Sequence, residues 1–323
     1  MFLMLACSLS LTLISPVEAK ELTIFQMDDP EGDDNGQGTY QYPMRSIFDP
    51  KKKLFDLTKF AVAMDEANYH FDITLALINN PWGAPEGFSQ PIIQIYLDTK
   101  SGGKTETLNE GAYVNFAADH GWEYLIKVVG WGNTAIYHYT DDPGSKGKKD
   151  KIKVHVLPDQ KTIRVTIPHS YFQEDPESWN YYVLVGSQDG LGPDNYRMVM
   201  EKVTEWQFGG GTDTNYDPNV IDLLAPPSGP HTQKNQLSYS IAENRIAEVQ
   251  PVIPTKEQKK VAKQKSSWWE KLKGEIVLAV RSVTDKYPFG EYYPVYIGVV
   301  LFVIIVLAFG WVNFGEYFKD EDQ

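Results

Sequence analysis

Residues 151–168 read KIKVHVLPDQKTIRVTIP, and this stretch decides the fold class. Apolar side chains occupy every second position on both sides of a Pro-Asp pair: Ile152, Val154 and Val156 precede it, and Ile163, Val165 and Ile167 follow it. Such alternation places the apolar side chains on one face of a strand, and a Pro-Asp pair favours a turn. The stretch therefore predicts an antiparallel β-hairpin.

The same alternation recurs on both sides of this hairpin. Residues 69–77 (YHFDITLAL) place four apolar side chains on one face, namely Phe71, Ile73, Leu75 and Leu77. Residues 91–98 (PIIQIYLD) point Ile93, Ile95 and Leu97 inward, and residues 123–129 and 180–186 are further candidate strands. Many short strands separated by Gly, Pro and Asn predict a mainly β fold, an antiparallel β-sandwich of the jelly-roll type over residues 20–250.

Both ends of the chain differ from this β-rich region. Residues 1–19 (MFLMLACSLSLTLISPVEA) form an apolar run that ends in small residues, which predicts a signal peptide. Residues 295–312 (VYIGVVLFVIIVLAFGWV) carry no charge and are long enough for a transmembrane helix. We therefore expect a single-pass protein of the cell membrane, with a periplasmic or extracellular ectodomain and a short acidic cytoplasmic tail at residues 313–323.

Two segments connect the predicted sandwich to the predicted span. Residues 251–265 are polar and predict a linker that buries nothing. Residues 266–287 place their apolar side chains, led by Trp268 and Trp269, on one helical face. This pattern predicts an amphipathic juxtamembrane helix in the membrane interface; the alternative is a helix that packs back onto the sandwich.

Composition excludes several classes of function. The net charge of −13 argues against a nucleic-acid partner, because phosphates favour a basic surface. The single cysteine, Cys7, lies in the predicted signal peptide, so we expect no disulfide and no thiolate metal site. The six histidines form no H-E-x-x-H pattern, and the glycines at residues 209–211 are not followed by the Lys-Ser/Thr of a phosphate loop.

Two acidic loops are candidate calcium sites. Residues 27–43 (MDDPEGDDNGQGTYQYP) crowd five acids together, and the predicted ligands are Asp29, Asp33 and Asp34. Calcium prefers several carboxylate and carbonyl oxygens, and such dense carboxylates repel one another without a cation. The second set alternates along the chain and comprises Asp213, Asn215 and Asp217. The alternatives are a flexible acidic lead-in for the first loop and an Asx-rich turn for the second.

Aromatic side chains are candidate sugar contacts. Aromatic residues make up 13% of the chain, and Trp82 lies in an Asn-Pro-Trp-Gly loop suited to a binding platform. Trp122 and Trp131 are further candidate ligand contacts. The alternative is that these side chains belong to the core or cover its edges.

The chain resembles the C-terminal domain of glucodextranase, a β-sandwich module that also occurs in pullulanase-type enzymes and among DOMON-like and carbohydrate-binding modules. The resemblance covers about residues 21–250. It rests on five segments in order, namely DDPEGDDNGQGTYQYP at 28–43, FDLTKFAVAMD at 55–65, NNPWGAPEGFSQPIIQIYLD at 79–98, LVGSQDG at 184–190 and FGGGTDTNYDPNVIDLLAP at 208–226.

The resemblance implies a module without catalytic activity, because enzymes that carry it have their catalytic machinery in another domain. We expect it to bind carbohydrate, an α-glucan or an envelope glycan, or to dock a surface protein partner, with a structural calcium ion. Two alternatives stay open. One is a DOMON-type haem-binding redox module that uses Met44, Met64 or Met198 with a histidine, and the other is a structural envelope or S-layer interaction protein.

Overall fold

The computed structural model describes residues 21–264 together with Gly274, Leu278 and Arg281. The strands are β1 (Leu22–Asp28), β2 (Leu57–Met64), β3 (Asn68–Leu75), β4 (Pro91–Asp98), β5 (Val114–Phe116), β6 (Tyr124–Val129), β7 (Ala135–His138), β8 (Lys153–Val156), β9 (Thr162–Pro168), β10 (Asn180–Ser187), β11 (Val220–Leu223) and β12 (Ala247–Val249). Helix α1 (Gln233–Gln236) is short, and single 3-10 turns lie at Ser46–Phe48, Pro50–Lys52, His169–Tyr171, Pro176–Ser178 and Pro193–Asn195.

Two five-stranded antiparallel sheets form the body of the molecule. The first sheet has the strand order β1-β2-β3-β9-β8, the second has the order β11-β10-β4-β6-β7, and β12 and β5 form a separate parallel pair. The predicted hairpin is β8–β9, in which Val154 pairs with Val165. Its turn is fastened by the Asp159 carboxylate, which accepts hydrogen bonds from the backbone amides of Lys161 and Thr162, both at 3.0 Å. The prediction of a mainly antiparallel β fold is confirmed.

Aromatic side chains join the two sheets face to face. Phe25 of β1 stacks on Tyr181 of β10 with ring centroids 4.3 Å apart. Phe71 on β3 is fully buried in the same interface, together with Ile73 and Leu75, as the alternation predicted. Leu77 was also predicted to face inward, but it lies beyond the end of β3 and is 37% exposed. The apolar alternation of the sequence therefore continues past the strand itself.

Strand β4 is buried on both faces, although the alternation predicted only one inward face. Leu97 pairs with Tyr181, so this side of β4 faces the first sheet. The opposite side contributes to a second apolar core, on the outer face of the second sheet. That core includes Ile92, Tyr96, Phe116, Trp122, Tyr182 and Val249. Residues 99–123 and the parallel pair β5–β12 therefore add a third layer.

Trp122 belongs to this outer core and not to a surface platform, which corrects its prediction as a ligand contact. The side chain is fully buried, and its Nε1 donates a hydrogen bond to the Glu106 carbonyl oxygen at 2.9 Å. Its ring packs edge-on against Tyr96, with centroids 5.1 Å apart. An indole held in this way has no face left for a ligand.

The segment after β12 also differs from its prediction as a linker that buries nothing. Val252 and Tyr181 exchange two backbone hydrogen bonds, at 3.0 and 2.7 Å. Residues 256–264 are helical; Ala262 is 3% exposed, and the Gln258 side chain donates to the Gln26 carbonyl oxygen at 2.9 Å. The segment therefore packs against β10 and β1. Its few anchoring residues are too sparse to produce an apolar pattern in the sequence.

The chain divides after Ala262 into two compact units. In the second unit, Gly274, Leu278 and Arg281 are helical. The rest of the predicted juxtamembrane helix, the signal peptide, the span at residues 295–312 and the acidic tail lie outside the described residues. Within the described part of the chain, none of the helices is long and apolar enough to cross a membrane.

Candidate functional site

A cleft of about 1030 Å³ opens on the outer face of the second sheet. Five stretches of chain supply its walls: the segment before β4, Asn109, residues 127–137 from the end of β6 to β7, residues 144–149, and residues 188–197 after β10. Ligand pockets in proteins typically enclose about 300–1,000 Å³. The cleft is therefore large enough for a ligand of several rings.

Two partly exposed indoles line the cleft. Trp82 and Trp131 are each 38% exposed. The Trp82 loop is closed by the Asn80 side chain, which accepts a hydrogen bond from the Ala84 amide and donates one to the Ala84 carbonyl, both at 2.8 Å. The Trp82 ring also packs edge-on against the buried Phe48, with centroids 6.3 Å apart. The Asn80 hydrogen bonds and the Phe48 contact therefore hold this indole in place before any ligand arrives.

The floor of the cleft is polar and fixed by a buried ion pair. Lys127 on β6 places its Nζ 2.6 Å from the Asp194 carboxylate, and both side chains are nearly buried. The amide groups of Gln94 and Asn109 donate to the same carboxylate at 2.8 and 3.1 Å. Asp194 has a left-handed backbone with φ of 46°. Removing a pair of charges from water costs free energy. The additional hydrogen bonds to Asp194 help to offset this cost and fix the geometry of the pair.

A second feature is a buried cluster of three acids at the β1 end of the molecule. Asp29, Asp33 and Asp222 each offer a carboxylate oxygen within 4.8 Å of the others. Asp222 pairs with Val185 on β10, and its side chain is completely buried between the sheets. Oδ2 of Asp29 and Oδ1 of Asp33 are buried without a hydrogen-bond partner among the described residues. Buried polar atoms are normally satisfied, so these two oxygens need an explanation.

The electrostatics of this cluster are unfavourable for three ionised carboxylates. Burial, opposed in part by the hydrogen bond from the Ala225 amide and reinforced by the Asp33 charge, raises the pKa of Asp29 to about 9. Burial and the Asp56 charge raise the pKa of Asp33 to about 6. Burial, followed by the charges of Asp29 and Asp33, raises the pKa of Asp222 well above its ordinary value. The cluster must therefore hold either protons or a cation near neutral pH.

Residues 24–251 match the family model of the C-terminal binding module, SLH-like, of glucodextranase. The chain belongs to this family. The match includes every residue of the cleft and of the acidic cluster. The glucodextranase C-terminal family is one of binding modules, so both sites lie in a binding domain. No curated protein matches the chain.

Within this glucodextranase-type module, the structure brings together only two of the three acids predicted from the first loop. Asp29 and Asp33 meet, whereas Asp34 accepts a hydrogen bond from the Tyr42 hydroxyl and pairs with Lys53 at 2.7 Å. The third acid of the cluster is Asp222, which sequence reasoning missed. One sequence pattern could have identified Asp222: it is the only acid in the otherwise apolar segment VIDLLA at residues 220–225.

The second predicted loop has the hydrogen bonding of an Asx-rich turn. Asp217 is buried and accepts hydrogen bonds from the Thr212 amide at 3.0 Å and from the Thr212 and Thr214 hydroxyls. Asp213 is exposed and accepts from the Glu201 amide at 3.0 Å, and Asn215 is exposed. The carboxylate of Asp217 is thus used within its own turn, which favours the turn over a metal site.

Proposed function

We propose that the chain is a non-catalytic module that binds carbohydrate, an α-glucan or an envelope glycan, in the cleft between Trp82 and Trp131. The observation that carries this proposal is the combination of two partly exposed indoles with a polar floor in one cleft. The flat apolar face of an aromatic ring suits the C–H face of a sugar, and the neighbouring polar groups suit its hydroxyls. Membership of a family of binding modules supports the same function.

A structural calcium ion forms part of this proposal, held by Asp29, Asp33 and Asp222. The donor set fits the ion, because calcium binds carboxylate oxygens and two of the buried oxygens have no hydrogen-bond partner in the described part of the chain. A cation would offset the mutual repulsion of the three carboxylates. It would fasten the loop after β1 to β11, two segments that are far apart in sequence.

We further propose that the module is anchored in the cell membrane by the predicted span at residues 295–312, with the binding domain outside the cytoplasm. The length and apolar composition of this segment support the proposal. Carbonate extraction of membranes containing the full chain tests it. Recovery of the protein in the pellet is expected, and recovery in the supernatant would rule out a spanning anchor.

A glycan array probed with the purified full chain tests the binding function. Signals on α-glucans or envelope glycans are expected for the wild type, with loss of signal for the Trp82→Ala/Trp131→Ala double variant. Each indole should contribute roughly tenfold to the affinity. Trp206→Ala is the matched control, because Trp206 is 41% exposed but does not line the cleft. A blank array for the wild type would instead favour a scaffold or protein-docking function.

A further inference from the structure

The charge of the cleft is opposite to that of the whole chain. The chain carries a net charge of −13. The residues that line the cleft include four cationic side chains, Lys127, Lys146, Lys149 and Arg197, but only two anionic ones, Asp189 and Asp194. A basic cleft on an acidic protein attracts anions locally while the rest of the surface repels them.

Two of the four cations are neutralised by the two acids. Lys127 pairs with Asp194 at 2.6 Å, and Arg197 pairs with Asp189 at 3.2 Å. Arg197 is also held by the carbonyl oxygens of Gln188 and Trp206, at 2.9 and 2.8 Å. These pairs therefore form the fixed structure of the cleft and leave no net charge for a ligand.

The other two cations, Lys146 and Lys149, are exposed and free of ion pairs with acids among residues 21–264. Lys149 donates a hydrogen bond to the Asn133 side chain at 2.8 Å, which places its ammonium group beside the turn that carries Trp131. In the same turn, the Gly132 amide donates a hydrogen bond to the Glu86 carboxylate at 2.8 Å. Glu86 is not among the lining residues, so the charge offered to the cleft is positive.

The segment that carries these lysines is fastened to the rest of the molecule. The Gly144 amide donates to the Asn109 side chain at 2.8 Å, and Asn109 in turn donates to Asp194 on the floor. Lys148 and Ile136 of β7 exchange two backbone hydrogen bonds, at 2.8 and 2.9 Å. The backbone between these points is held in place, so Lys146 lies on the cleft wall, and Lys149 is held beside the Trp131 turn by its own hydrogen bond to Asn133.

We propose that the cleft selects acidic saccharides, whose carboxylate or phosphate groups pair with Lys146 and Lys149 while the sugar rings lie against Trp82 and Trp131. This inference rests on the proposed function and specifies its ligand class. Hydrogen bonds between ammonium groups and anionic oxygens are stronger than those between neutral groups. A lysine ammonium group can donate to either a carboxylate or a phosphate. In this proposal the two indoles bind the sugar rings, and the two lysines make the cleft prefer anionic saccharides over neutral ones.

Calorimetric titration of the full chain with three oligosaccharides of similar length tests this proposal. They are maltoheptaose, which is neutral, an oligogalacturonate, which carries carboxylates, and a phosphorylated maltooligosaccharide. At least one acidic ligand should bind about tenfold more tightly than maltoheptaose at low salt, and the difference should shrink as salt screens the charges. The two acidic ligands distinguish carboxylate from phosphate recognition.

The Lys146→Ala/Lys149→Ala variant should lose this preference while it keeps its melting temperature, because both side chains are exposed. Lys51→Ala/Lys52→Ala is the matched control, since it removes two exposed lysines that do not line the cleft. Equal affinity for neutral and acidic ligands, or an unchanged preference in the Lys146/Lys149 variant, would overturn the acidic class and leave the binding function intact. Failure of the wild type to bind any saccharide would overturn both.

Discussion

Three carboxylates from distant parts of the sequence share one buried space at the β1 end of the sandwich. Asp29 fixes the chain after β11 through the Ala225 amide at 2.8 Å, and Asp222 fixes the start of β2 through the Leu57 amide at 2.6 Å. Asp29 and Asp222 therefore each also have a structural hydrogen bond. Like charges at this separation destabilise the fold unless a proton or a cation compensates for them.

Removal of calcium should lower the melting temperature of the full chain. A bound ion at a hundred times its Kd stabilises a fold by about 2.7 kcal/mol, which corresponds to a shift of about 5–10 °C for a domain of this size. Asp222→Asn should abolish the effect of the chelator, because it removes one carboxylate from the cluster. Thermal melts with calcium and with excess EGTA measure both effects.

The matched control is Asp142→Asn, which changes an exposed acid outside the cluster. This variant should respond to the chelator as the wild type does. A wild-type midpoint that stays the same after complete stripping would eliminate the calcium site.

The stripped protein should lose stability as pH rises. The folded-state pKa values of Asp29, about 9, and Asp33, about 6, lie above the ordinary value of 3.8. Between the ordinary and the raised values the folded state binds more protons than the unfolded state, so its stability falls with increasing pH. Urea unfolding in EGTA from about pH 5 to about pH 9 measures this decline. Saturating calcium should flatten it, and an equal slope with and without calcium would contradict a bound ion.

At the scale of single residues, the crowding of acids in residues 27–43 pointed to Asp29 and Asp33, which lie in the cluster. It also pointed to Asp34, which lies outside the cluster. The Asp34 carboxylate instead accepts hydrogen bonds from Lys53 and Tyr42, and only the tertiary structure brings these two donors to it. Asp222 is nearly two hundred positions away in the chain, and only the pairing of β11 with β10 brings it to the cluster. Local spacing carries no information about such a contact.

At the scale of elements, the cleft wall depends on a close crossing between the turn after β6 and the segment before β4. A Cβ on Gly130 would lie 1.7 Å from the Phe88 carbonyl oxygen, a distance that requires the backbone to move. Trp131 follows directly, so this crossing positions the indole. The glycine is needed because no side chain fits in this space.

Gly130→Ala should therefore destabilise the protein by about 1–3 kcal/mol or more and weaken saccharide binding. Gly190→Ala is the matched control, because Gly190 lines the same cleft but a Cβ there would meet no atom within 4 Å. Denaturant unfolding and saccharide titration of both variants provide the measurements. Equal stability of the two variants would show that the crossing does not constrain the cleft wall.

Alternation predicted β3, β4 and the β8–β9 hairpin, and β6 and β10 were further candidate strands. The outer layer could not be predicted in the same way. β5 and β12 are only three residues long, and they pair in parallel across more than 130 positions. The cleft also escaped prediction as a unit, because its walls come from five segments that are separate in the sequence. Trp82 and Trp131 were each predicted as ligand contacts, but their place in one cleft depends on the fold.

At the scale of the whole molecule, the proposed stabilising site and the proposed recognition site lie apart. The acidic cluster lies where the loop after β1 meets β11, whereas the cleft lies on the outer face of the second sheet. Variants of the cluster should therefore change stability more than affinity, and variants of the cleft lining should do the reverse. The cleft and the third layer over β4 share this outer face.

Hydrogen exchange of the full chain, with and without the saccharide that gives the strongest array signal, tests the binding cleft most directly. A saccharide held between Trp82 and Trp131 should slow amide exchange in residues 80–90, 129–133, 144–149 and 188–197. Exchange in the turn at residues 209–217 should stay unchanged. Protection confined to that turn or to the surface around Trp206, or no saccharide binding by the wild type, would contradict a carbohydrate site in the cleft.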